Sequence, residues 1–154
     1  MLDLFDEFKA IIAALTERDI DYAVCGGLAM AVYGLARATV DIDLLIAADD
    51  FERVKKAVHP LGYAIEAIPM TFAKGAVEIR RLSKIDPDAG DLLMLDCLLV
   101  TPQIKEAWDS RTESEWEDGT LRIVSREGLI ALKSLRANAQ DMEDIQRLKD
   151  EYES

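Results

Sequence analysis

At 154 residues, half of them apolar, the chain has the size of one domain able to bury a core of its own. Thirty acidic against eighteen basic side chains leave a formal net charge of −12. That argues against broad nonspecific binding to nucleic acid, whose affinity comes from neutralising phosphates with Lys and Arg, and leaves room for a small basic site.

No apolar run approaches the ~20 residues of a membrane span. The opening MLDLFDEFK lacks the basic leader of a signal peptide, and two cysteines without such a signal suit a reducing cytoplasm. Cys25 and Cys97 both fall in predicted strands and read as free buried thiols.

In chain order, the spacing of Leu4, Phe5, Phe8, Ile11, Ile12 and Leu15 predicts an amphipathic helix over 3–18. DYAVC reads as a short strand ending at Gly26-Gly27, and LAMAVYGL as a helix directly after it. VDIDLLIA, 40–47, is a second strand. Asp49 or Asp50 caps a helix through about Val58, which Gly62 ends. Strands follow near 63–68 and 76–82, and LLMLDCLLV at 92–100 is the most apolar strand of all. Thr101-Pro102 signals a helix start. After a strand at 120–124, Ser125 caps a helix to about Ala137, and Asp141 opens a last helix ending near Tyr152. Helices alternating with strands, then consecutive strands, then a helical C-terminus describe an α/β (α+β) domain with a mixed sheet. It is read as one domain over 1–154, with a sheet-containing core to about 124 and C-terminal helices over about 125–152.

Three sets of residues carry chemistry. Gly26-Gly27 stands where a strand gives way to a helix, a place where backbone approaches an anion closely; taken alone, the pair reads first as a tight turn. Asp41 and Asp43 lie two apart on a strand and project from one face. Such a pair repels itself unless protons or a cation intervene, and magnesium, held by one or two carboxylates plus phosphates, is the fitting ion. An isolated pair of this kind is also simply an acidic strand end. Asp96 is more telling, because it interrupts a strand read as central and buried, where a lone carboxylate costs several kcal/mol. It either joins Asp41 and Asp43 or makes a salt bridge to an Arg or Lys, such as Arg37 or Lys133, and the shared site is the preferred reading.

Lys133 falls within the apolar arc of its helix, with Arg136 on the same side. It either offsets phosphate charge or packs its stem on the core. Asp141 also falls inside its helix's apolar arc and reads as an N-cap. Arg37 and Thr39, just before the acids, are phosphate-binding or ordinary loop residues. The basic cluster from Lys74 to Lys84, with Arg80 and Arg81, reads as a solvated strand face. His59 is the only histidine and sits at a helix end, so zinc chemistry and a Ser-His-Asp triad lack support.

Taken together, Gly26-Gly27, the spacer, Asp41-Ile42-Asp43 and a later strand Asp96 resemble the signature of the DNA polymerase β-like nucleotidyltransferase superfamily. The tail from Leu129 to Leu148 is similar to the C-terminal helices of small AbiEii-type toxin nucleotidyltransferases, although Gln140 stands where those relatives usually carry lysine. The resemblance implies a mixed-sheet nucleotidyltransferase fold and a magnesium (or manganese) ion on Asp41, Asp43 and Asp96. It also implies transfer of a nucleoside monophosphate from an NTP to an acceptor: a tRNA, a protein or a small molecule. Gly26, Gly27, Arg37, Thr39 and Lys133 would then face the nucleotide. A toxin-antitoxin role brings in an antitoxin or other protein partner, and the alternative is a noncatalytic NTP-binding or partner-binding module of the same fold.

Overall fold

The computed structural model describes residues 3–35 and 41–153, with side chains described through 150. Among these residues eight strands form one sheet, and the order along its main path is β3-β5-β6-β2-β1-β8-β7. The strands are β1 (Ala23–Cys25), β2 (Asp41–Ile46), β3 (Ile65–Glu66), β4 (Met70–Phe72), β5 (Val77–Ile85), β6 (Leu92–Leu99), β7 (Thr112–Trp116) and β8 (Gly119–Ile123), with β4 pairing on β5. β2 runs parallel to β6 and β1 parallel to β8, while the other neighbours are antiparallel. The sheet is mixed, as its sequence predicts, and β6 is interior to it.

The helices are α1 (Leu4–Glu17), α2 (Gly26–Val32), α3 (Phe51–Val58), α4 (Lys105–Asp109), α5 (Arg126–Arg136) and α6 (Ala139–Glu153). Asp3 caps α1 through the Asp6 amide, and Ser125 caps α5 through the Gly128 amide. Alternation along β5 shows which helices cover which face. Lys84 Nζ donates to Glu7 of α1 at 2.7 Å, and Arg80 stacks over Phe51 of α3. These even-numbered positions therefore look toward α1 and α3, and the odd-numbered ones look the other way, toward α5. The buried core runs through both layers, from Ile11 and Leu15 across Ile42, Leu44 and Leu95 to Leu129. No helix among the described residues is long and apolar enough to cross a membrane.

Several boundaries differ from the sequence reading. α2 begins at Gly26 itself, so the glycines are its first turn and not a separate loop. Asp50 makes no side-chain cap; its carboxylate accepts from Arg53 while a short 3-10 turn leads into α3. Of the strand expected near 63–68 only Ile65–Glu66 forms, as β3, and β4 at Met70–Phe72 is an additional short strand that was not expected. β7, rich in Glu and Ser, has no apolar alternation to reveal it and exists as the hairpin partner of β8. α6 starts at Ala139, two residues before Asp141, because Asn138 is its cap.

Candidate functional site

Strand register builds the site. Cys25 of β1 pairs with Asp43 of β2, Asp43 with Asp96 of β6, and Asp96 with Arg81 of β5. Residues directly opposite one another project from the same face, so these four form one row across the sheet, on the side covered by α5. Asp41 lies one pleat along, on that same face. The condition set by the sequence, that the Asp96 strand lie beside the strand carrying Asp41 and Asp43, is met in parallel register. A pocket opens over the row, lined by Gly26, Asp43, Asp96, Lys133 and Arg136 and walled by Phe72, Ile79 and Leu132.

Asp96 is 5% exposed and has a partner that the sequence reading did not name. Arg81 grips it through Nε at 2.7 Å and Nη2 at 2.9 Å, a bidentate pair. The cluster from Lys74 to Lys84 is therefore not simply a solvated strand face: Arg81 reaches into the site, while Arg80 and Lys84 engage the opposite layer. The available signal was parity. A buried acid on a central strand needs a cation, and a basic residue on the neighbouring strand is the nearest source.

Asp43 is half-buried. Loss of hydration, then the Asp96 and Asp41 carboxylates, push its carboxyl up from 3.8 to about 7, against the pull of Arg136 and Lys133. Burial first, and Asp43 next, push the Cys25 thiol up, leaving it a neutral part of the wall. Cys25 and Cys97 are free and buried, as expected, and lie on opposite faces of the sheet.

Gly26 explains how β2 and α2 fit together. Its φ is +65°, and a Cβ placed there would stand 2.0 Å from Asp43 Oδ2. The glycine thus makes room for the carboxylate. Gly27 is buried inside the same first turn. Arg37 and Thr39 lie outside the described residues.

Lys133 is 4% exposed and lines the pocket. Its Nζ donates to Asp144 Oδ2 at 2.9 Å, so the stem packs inward and the amine is not in water. Asp141, read from the sequence as the N-cap, is instead the third residue of α6 behind the Asn138 cap. It completes a reciprocal pair in which the Asp141 amide donates to Asn138 Oδ1 and the Asn138 amide to Asp141 Oδ2. It also takes Arg136 bidentately at 2.7 Å on each oxygen. Burial alone would raise this carboxyl; the Arg136 and Asn138 hydrogen bonds outweigh that and hold it below the usual range. Lys133→Met should therefore cost on the order of 3 kcal/mol, since it strands a buried carboxylate. Converting Asp144 to Leu as well should recover most of that cost in urea melts.

The fit to a magnesium ion rests on the donor set. Among the described residues no three His, Cys, Asp or Glu side chains form a ready cage, and Asp96 is engaged by Arg81. What remains is Asp41 and Asp43, hard oxygens on one face, with the Asp43 carboxyl pushed up to about 7 by burial first and then by the Asp96 and Asp41 carboxylates. Two carboxylates completed by substrate phosphates are an ordinary magnesium arrangement, and the residues fit it.

This mixed sheet, with its helices and its acid row, is the nucleotidyltransferase fold. No family model and no curated protein matches the chain by sequence; solved structures match its fold. The antibiotic-resistance factor ANT(2'')-Ia in solution is 22% identical, with a TM-score of 0.63 over 93% of this chain and 80% of its own. The same factor in complex with adenylyl-2''-tobramycin is 21% identical, with a TM-score of 0.59 over 92% and 84%. TM1012 from Thermotoga maritima, assigned as a nucleotidyltransferase, is 10% identical, with a TM-score of 0.65 over 96% and 92%. At such identities the likeness establishes the fold alone.

Proposed function

We propose that the chain is a metal-dependent nucleotidyltransferase that moves a nucleoside monophosphate from an NTP to an acceptor hydroxyl. The observation that carries this is the row Asp43–Asp96 in register on parallel neighbours, with Asp41 one pleat away and Gly26, Lys133 and Arg136 around it. Asp41 and Asp43 would hold the ion. Once bound, it would supply charge neutralisation for the triphosphate and for the leaving pyrophosphate.

The chain's own groups do the rest. Gly26 keeps the backbone clear beside Asp43, and Lys133 and Arg136 meet phosphate charge from α5. Asp96, oriented by Arg81, would take the acceptor hydroxyl's proton as that oxygen bonds to the α-phosphorus and the bond to the bridging oxygen breaks. Chemistry of this kind is mostly positioning and charge stabilisation, which few residues suffice to provide.

Formal charge around the pocket fits metal and nucleotide arriving together. Lys133 and Arg136 are balanced by Asp144 and Asp141, while Arg81 faces three carboxylates. The site's own side chains thus sum to a negative charge and repel a bare triphosphate. Either magnesium or manganese should raise the melting temperature over EDTA, and metal plus the preferred NTP at about a hundred times its Kd should add roughly 5–10 °C. An NTP with EDTA should add nothing. Absence of any shift with metal and all four NTPs would remove the proposal.

The Arg81–Asp96 pair favours a second reading, a noncatalytic nucleotide-binding module, because the residue assigned to the acceptor proton already has a cation. Pyrophosphate release separates the two readings: transfer yields it and binding alone does not. Labelled NTP in cell extract identifies the acceptor as tRNA, protein or small molecule. A pull-down from the same extract tests the antitoxin partner that the AbiEii-type resemblance brings with it.

A further inference from the structure

Both pocket-lining cations of α5 are held from behind by α6. Lys133 is nearly sealed from water, and a buried ammonium is tolerated only with a charged partner. That partner is Asp144, itself 0% exposed, which takes Nζ on Oδ2 at 2.9 Å; Asp141 Oδ1 lies 4.0 Å away. The other Asp144 oxygen accepts from Gln140 Nε2 at 2.9 Å, so the carboxylate is fixed on both sides. Gln140 thus has a structural task at the position where the resembling toxins carry lysine. Arg136 is gripped the same way by Asp141, which is locked in turn to Asn138. Neither Asp141 nor Asp144 lines the pocket. An ammonium has three donors and a guanidinium five, so α6 sets direction while leaving donors of Lys133 and Arg136 for the pocket.

Resting on the nucleotidyltransferase reading, we propose that Asp144 is a positioning residue for the triphosphate: it touches no substrate, aims Lys133 into the site, and makes triphosphate affinity depend on the docking of α6. The sign of one substitution separates this from a bystander charge. Asp144→Asn keeps the shape but replaces the carboxylate that anchors the Lys133 ammonium with a neutral amide. Loss of aim lowers triphosphate affinity, whereas simple removal of an anion near a polyanion leaves it unchanged or raises it.

The probe is inorganic tripolyphosphate with magnesium, which needs no knowledge of the base, titrated calorimetrically into the folded chain. Asp144→Asn should weaken binding roughly tenfold, and in a Lys133→Met background the same change should have no further effect. If Asp144→Asn does not fold, Asp144→Glu keeps the charge, displaces the carboxylate by one methylene and should also weaken binding. Equal or tighter binding by the Asp144 variant overturns the positioning role while leaving the nucleotidyltransferase reading in place, as does an equal loss in the Lys133→Met background. A wild-type chain that binds no magnesium tripolyphosphate overturns both.

Discussion

Asp43→Asn will make the metal-free protein more stable at pH 8 than the wild type and nearly equal to it at pH 4. The Asp43 carboxyl is held up to about 7 by burial and by the Asp96 and Asp41 carboxylates, against 3.8 ordinarily. Between those values the folded chain keeps a proton that the unfolded chain has lost. Stability contributed by that proton is therefore present at low pH and declines as pH rises from about 4 through about 7. At about 1.4 kcal/mol per pH unit, discounted for a partly exposed group, the decline is on the order of 2–4 kcal/mol. Asparagine cannot ionise, so the variant lacks this descent. Urea unfolding in EDTA at several pH values measures it, and parallel curves for the two proteins would refute the assigned electrostatics. The same change should lower nucleotidyl transfer by on the order of 10³-fold, with the fold intact. Wild-type transfer by the variant would retire Asp43 as a ligand.

That prediction was partly legible in the sequence. Alternation alone places Asp41 and Asp43 on one face, and the apolar run around Asp96 marks an interior strand; both readings agree with the sheet. The partner of Asp96 was not legible, because cross-strand register depends on where β5 begins and on the reversal from Asp86 to Asp91 that returns the chain as β6. The sequence suggests Arg37 or Lys133 among the basic residues for that role; Arg81 occupies it.

The ionic cluster of α5 and α6 was half visible. Helical periodicity puts Lys133 and Asp141 inward, but the tight reversal at Ala137, whose φ is +53°, decides which charges meet. That alanine carries none of the glycine signal that usually announces such a turn. β7 was missed for a related reason: its pairing with β8 is set by a hairpin and not by apolar alternation. Local pattern thus revealed which residues turn inward, while the neighbours they meet followed from connections that composition does not report.

Gly26→Ala should be the most damaging small substitution in the chain, although it adds only one methyl group. At φ +65° an alanine is strained, by roughly 1–2 kcal/mol. The new carbon would lie 2.0 Å from Asp43 Oδ2, 2.8 Å from its Cγ and 2.9 Å from its Cβ. Rotating the carboxylate does not relieve contact with Cβ, so β2 itself must shift, at an overpacking cost of about 1–3 kcal/mol. The two terms together reach roughly 2–5 kcal/mol, a large share of a stability of about 5–15 kcal/mol.

Gly34→Ala is the control. Its φ is +80° and nothing lies within 4 Å of the added carbon, so it bears the conformational cost alone. The difference between the two variants isolates the clash. Adding Asp43→Ala to Gly26→Ala removes the two carboxylate contacts and should restore part of the loss, an interaction that a double-mutant cycle reads directly in urea midpoints. Equal losses for Gly26→Ala and Gly34→Ala, with no rescue, would mean that Gly26 is needed only for its backbone angle and not to make room for the carboxylate.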